Sequence, residues 1–271
     1  MNDTILPSLN NYIQLNALQE QSFRKNGHTL INAVLSAEEV AVYRNIINEA
    51  AYKYNTEKRK LEERDTYGRA FLQVMNLWEL DIQVRQFTLA KRFAKIAAGL
   101  LGVENVRLYH DQALYKEPGG GFTPWHQDQY YWPLSTTNTV TMWMPLIDIN
   151  EEMGMLTFAS GSHKSGFVEN VAISDESEAL LEKYISDNGF PISRPPSMKA
   201  GDASWHYGWT LHNASGNASA VTREVMTIIY FADGALVTEP KNEHQEADRQ
   251  RWLAGLAPGA AAASALNPLL L

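Results

Sequence analysis

Trp125-His126-Gln127-Asp128 sets an imidazole and a carboxylate two residues apart. In an extended segment, residues i and i+2 face the same way, so His126 and Asp128 can aim at one point. A second histidine from elsewhere would complete two imidazoles and one carboxylate on one face of an octahedral metal. Three positions then stay open, which suits an iron(II) ion that must take a co-substrate and dioxygen together. The other histidines are His28, His110, His163, His206, His212 and His244. His212 is preferred because Arg223 follows on the next strand-like segment. A guanidinium there can pair bidentately with the far carboxylate of an organic acid such as 2-oxoglutarate. Alone, a His-x-Asp pair, a turn histidine or a strand arginine each has an ordinary structural explanation. Their joint order is much harder to reach by accident.

The elements that must position these residues change character along the chain. Leu15 to Lys25 has a helical pattern closed by Asn26-Gly27, a C-cap signal. A strand-like piece runs from His28 to Leu35. Ser36 and Glu39 form a capping box for a helix with Val40, Tyr43, Ile47 and Ala50 on its apolar stripe. The charged stretch Glu57 to Asp65 reads as that helix's solvated end. A second helical region spans Asp81 to Leu101 and stops at Gly102. From Val106 the period becomes two, which puts Val106, Leu108, His110, Gln112, Leu114 and Lys116 on one face. Further strands are read at Thr139 to Ile149, Met155 to Ala159, Ala203 to His206 and Arg223 to Ala232, with one helical insert at Ser174 to Asn188. Many short strands after a helical preface suggest a β-sandwich or barrel backed by helices. The Ala-rich tail reads as packing.

Bulk composition narrows the function. The formal net charge of −8 disfavours nucleic acid, whose phosphates need a basic surface. The absence of cysteine excludes thiolate nucleophiles, disulfides and Cys-based metal sites. No apolar run is long enough for a membrane span, and Met1 to Tyr12 lacks the features of a signal peptide. Asn-x-Ser/Thr triplets at Asn2, Asn213 and Asn217 are read as chance matches. The expected setting is the cytoplasm, with a small-molecule substrate, no nucleic-acid or membrane partner, and a monomer or homodimer.

Trp125 to Asp128, Leu156 to His163, Gly201-Asp202 and His212 to Arg223 together resemble the phytanoyl-CoA dioxygenase family of iron(II)- and 2-oxoglutarate-dependent oxygenases. The likeness covers roughly Leu30 to Phe231. It implies a mainly β fold with flanking helices: a double-stranded β-helix, or cupin-like jelly roll, with helices packed on one sheet. A single domain over residues 1–271 is expected, with a helical preface (1–105), a jelly-roll core (106–235) and a C-terminal tail (236–271). The resemblance implies that His126, Asp128 and His212 bind Fe(II), that Arg223 binds 2-oxoglutarate, and that O2 is the oxidant. Trp143 and Gln112 fall at positions near the co-substrate, and Lys116 shares the face of Gln112. Ala214 stands where family members often have Ser, so one co-substrate hydrogen bond is missing or supplied differently. Related halogenases lack a carboxylate at the position of Asp128, which favours hydroxylation or a related oxidation here. Tyr130, Tyr131 and Trp132, next to the ligands, and Phe71, Gln73 and Asn76, from the preface, are candidate substrate contacts. The rival readings are a cupin-like metal-dependent isomerase or hydrolase, which has no need of Arg223, and a non-catalytic binding protein on the same fold.

Overall fold

The computed structural model describes residues 6–271, so the triplet at Asn2 lies outside the described residues. The chain opens with α1 (Ala17–Asn26), β1 (His28–Ile31) and α2 (Ala37–Tyr54). Asn16 and Gln19 cap α1 reciprocally, and Gly27 ends it in the left-handed region (φ 84°). Ser36 and Glu39 form the capping box of α2. Next come α3 (Thr66–Ala70), β2 (Leu72–Met75), α4 (Leu77–Leu80), α5 (Ile82–Thr88) and α6 (Lys91–Leu101). The single helical region read from Asp81 to Leu101 is therefore two helices, broken at Leu89 and Ala90. The charged stretch before α3 is not only solvated: Arg64 is buried and pairs with Glu117 at 2.5 Å.

The strands are β3 (Val106–Lys116), β4 (Thr123–His126), β5 (Thr139–Pro145), β6 (Ile149–Asn150) and β7 (Leu156–Ala159). After α7 (Asp175–Asn188) come β8 (Ile192–Ser193), β9 (Ser197–Met198), β10 (Ala203–Tyr207), β11 (His212–Ala214) and β12 (Arg223–Ala232). The last helix is α8 (Glu243–Trp252). Antiparallel pairing builds a six-stranded sheet, β1-β10-β5-β12-β3-β2, and a four-stranded sheet, β4-β11-β7-β8. β6 and β9 form a short ribbon. These are the two faces of a jelly roll.

Alternation along the large sheet sends one set of side chains outward to the helices. Val140, Met142, Trp205, Met226 and Ile228 pack there against Tyr43, Ile47, Phe87, Phe93 and Ile96. Each such fully buried apolar side chain stabilises by roughly 1.5–3 kcal/mol. The other set faces the small sheet, where Leu114, Trp143, Leu156, Phe158 and Val225 share an inner cluster. On the far side of the small sheet, Leu181 and Ile185 of α7 cover Trp125, Ala159 and Leu211. Thus α7 lies outside the layer formed by the N-terminal helices.

One face assignment from the sequence is corrected. The β3–β12 register runs Ile229↔His110 and then Tyr230↔Leu108, leaving Tyr109 as an extra residue. This β-bulge shifts the alternation. Val106 and Leu108 join the helix-side core, whereas His110, Gln112 and Leu114 line the space between the sheets. Lys116 reaches neither of these positions, as described below.

Candidate active site

Between the sheets lies a cavity of about 440 Å³. His126 closes β4 and His212 opens β11, and the two are cross-strand partners. Nδ1 of His126 donates to the Pro124 carbonyl at 2.7 Å, and Nδ1 of His212 donates to the Thr210 carbonyl at 2.9 Å. A carbonyl can only accept, so in the neutral form of each ring it is Nε2 that carries the free lone pair. They lie 3.5 and 3.6 Å from Oδ1 of Asp128. Asp128 starts a short 3-10 turn, Asp128–Tyr131, immediately after the strand. Gln127 holds that strand end: its amide donates to the carbonyls of Gly166 and Trp209. The three ligand-type atoms lie within 4.8 Å of one another, an arrangement able to hold one metal ion.

The second oxygen of Asp128 is also held. Oδ2 accepts from the Thr141 hydroxyl at 2.9 Å and from Nε2 of His206 at 3.2 Å. The carboxylate is thereby turned so that Oδ1 alone faces the two imidazoles. Burial opposes ionisation of Asp128, but His212, His126 and His206 outweigh it and hold its carboxyl well below the usual range. Burial, reinforced by His126, pushes the His212 imidazole well down, which favours the neutral form a metal requires.

Arg223, the first residue of β12, is 1% exposed. It donates to the Gly154 carbonyl, its Nε has no partner, and its guanidinium stands 5.3 Å from the Trp143 ring centre. It forms no ion pair among the described residues, and burial pulls it down to about 9. Gly154 itself has φ 79°, and a Cβ there would come 2.5 Å from the Ser215 carbonyl oxygen. Only glycine offers its carbonyl to Arg223 from this position without strain. Ala214 lines the cavity nearby. Its cross-strand partner is Thr123, which also lines the cavity.

Of the other residues singled out in the sequence, Trp143, Gln112, Phe71, Gln73, Tyr131 and Trp132 line the cavity. Three do not. Lys116 is fully buried behind the wall, donating to the Gly121 carbonyl and to the Thr123 hydroxyl at 3.4 Å. Burial, then the neighbouring Arg223, pulls it down to about 6. Asn76 is a structural residue at φ 51°, bonded to Glu79 and to the Trp78 indole. Tyr130 packs on the rings of Tyr131 and His244, outside the cavity.

The sequence reading missed several lining residues. In the sequence Thr141 and His206 carry no mark beyond their strands, and Tyr67 carries none. The Tyr67 hydroxyl donates to Gln73 (3.2 Å), whose amide donates to Gln112 (3.0 Å), forming a polar chain across one wall. The largest omission is α8, which sends His244, Asp248, Arg251 and Trp252 to the cavity. No helix among the described residues is long and apolar enough to cross a membrane.

Known proteins share this architecture. A carbocyclase from nogalamycin biosynthesis (SnoK), described as non-haem and α-ketoglutarate-dependent, superposes with TM-score 0.79 at 24% identity, covering 97% of this chain and 98% of its own. The epimerase SnoN, in complex with Fe3+, α-ketoglutarate and nogalamycin RO, superposes with TM-score 0.78 at 23% identity, over 94% and 98%. At these identities the likeness is one of fold. A probable α-ketoglutarate-dependent hypophosphite dioxygenase from Stutzerimonas stutzeri is 25% identical over 236 residues, 81% of this chain and 79% of that protein. Residues 23–225 match the family described as Phytanoyl-CoA dioxygenase (PhyH). The chain belongs to the phytanoyl-CoA dioxygenase family, a group of iron- and 2-oxoglutarate-dependent oxygenases with the jelly-roll fold.

Proposed function

We propose that the protein oxidises an unactivated C–H bond of a small metabolite or natural-product intermediate, in the simplest case by hydroxylation. The observation that carries this reading is the pairing of a His-Asp-His cluster with Arg223, a buried guanidinium that has no counter-ion among the described residues. A buried charge left unpaired costs several kcal/mol. A dicarboxylate reaching from the metal to Arg223 would remove that penalty. A metal-dependent isomerase or hydrolase has no use for such a group.

The donor set fits iron(II): two imidazoles whose Nε2 atoms face one oriented carboxylate. Iron and 2-oxoglutarate, when bound, would supply the oxidising power from dioxygen, with succinate and carbon dioxide as co-products. His126, Asp128 and His212 would hold the metal. Thr141 and His206 would fix which oxygen of Asp128 faces it, the kind of support that tunes metal affinity. Arg223 would bind the far carboxylate of 2-oxoglutarate, with Trp143 packed beside it. Thr123 stands opposite Ala214 and would offer a hydroxyl in place of the missing serine. Gln112 and Gln73 would present amides to the bound molecules, and Phe71, Tyr131 and Trp132 would exclude water. Asp128 fills the position a halide would need, so oxidation without halogenation is expected.

The direct test is succinate release from 2-oxoglutarate with Fe(II) under air, scored against a panel of candidate substrates. Hydroxylated product with matching succinate supports the reading. No turnover with any substrate, and none without, would sink it.

A further inference from the structure

The cavity has a second polar pole, opposite Arg223. Its lining includes two carboxyl and two guanidinium side chains: Asp128, Asp248, Arg223 and Arg251. Asp128 and Arg223 already have roles. Asp248 and Arg251 lie three residues apart on α8, yet they form no ion pair among the described residues. Arg251 instead is exposed at the rim, its guanidinium 4.5 Å from the Trp252 ring centre. Asp248 accepts one hydrogen bond, from the Tyr109 hydroxyl at 3.0 Å.

The Arg251 charge and the Trp252 indole add some support, but burial outweighs all three and leaves the carboxylate undercompensated. Burial pushes Asp248 up to about 7. The surroundings are aromatic: Tyr109 and Trp132 lie 5.4 Å apart between ring centres, and Trp252 belongs to the same cluster. Such walls attract an organic cation through their π faces. His110 lies 5.2 Å from Trp252, and burial pulls it down to about 3, so it brings no competing positive charge. The net charge of −8 also draws cations toward the molecule. A neutral hydroxyl would add a hydrogen bond and leave the charge uncompensated. A second anion would be repelled.

We propose that Asp248, flanked on the cavity wall by Trp132 and Trp252 and held from behind by Tyr109, is the anchor for a protonated amine on the substrate. This rests on the reading of the cavity as the oxygenase site. The amine would sit between Asp248 and the aromatic wall, with the rest of the molecule extending toward His126 and Asp128. α8 is then the element that selects the substrate.

The test uses full-length protein loaded with Mn(II) and 2-oxoglutarate at pH 8, titrated calorimetrically with 2-phenylethylamine and with 2-phenylethanol. The amine is expected to bind at least about tenfold tighter than the isosteric alcohol, the size of effect an ion pair with a desolvated partner supplies. Asp248→Asn is expected to erase that preference and Asp248→Glu to restore part of it. An amine that binds no better than the alcohol, weakly or not at all, overturns the proposal. So does an Asp248→Asn protein that keeps the preference. Wild-type protein that takes up no 2-oxoglutarate overturns the underlying reading of the site, and this proposal with it.

Discussion

The two ends of the cavity are built differently. At the metal end every polar group is fixed by strands: His126 and His212 face each other across β4 and β11, and Arg223 begins β12. Their supporting bonds come mostly from backbone carbonyls and neighbouring strands. At the α8 end Asp248 and Arg251 sit on one short helix, and Asp248 is held by a phenol from the facing strand with support from its own helix. The first end holds chemistry in place, as a common reaction requires. The second can vary in residue type without disturbing the ladder. A family with one cofactor set and many substrates needs this division of labour.

Substitutions can break or sharpen that contrast. The largest effect is expected from Asp128→Ala, which should reduce succinate release to background while the apo protein keeps its thermal unfolding midpoint. Full hydroxylation by this variant would remove Asp128 from the ligand set. Next is Arg223→Ala, expected to raise the KM for 2-oxoglutarate by roughly 100-fold, the scale of losing one partner of a buried charge pair. Amine binding at α8 should survive it. If both ligands weaken together, the two ends are not independent. His206→Ala should lower Mn(II) affinity roughly 10- to 100-fold, as loss of ligand support does. Unchanged affinity in calorimetry would mean that Thr141 alone orients Asp128.

The smallest effect concerns Lys116 and reads as pH dependence. Its folded-state value, about 6, lies below its ordinary value, so the unfolded chain binds the extra proton. Stability therefore rises with pH between those values and falls as pH drops toward 6. Lys116→Met should flatten this slope in urea unfolding, relative to wild type, between pH 7 and 10. Parallel profiles for the two proteins would show that Lys116 makes no such contribution.

The metal end was legible because its residues are close in sequence or lie at a fixed strand spacing. His126 and Asp128 needed only the two-residue period, and Arg223 supplied a reason to prefer His212. The Ser36–Glu39 capping box marked the start of α2, and Asn26-Gly27 the end of α1, because both signals act only locally. Other features leave no local trace. Thr141 and His206 look like any strand residues until β5 and β10 bring them to Asp128. Lys116 sits on the strand that lines the cavity, but its side chain reaches back to the Gly121 carbonyl. α8 buries only Gln245 and Trp252, so it has no apolar stripe to read. The site's second pole was hidden for that reason.

The bulge at Tyr109 has a consequence for how such an enzyme can diversify. It adds one side chain facing α8 while the pairing of β3 with β12 continues on either side. The strand thus tolerates a change of length at one point. The residue added there faces α8, and neither the His-Asp-His cluster nor the helix-packed core belongs to the bulge.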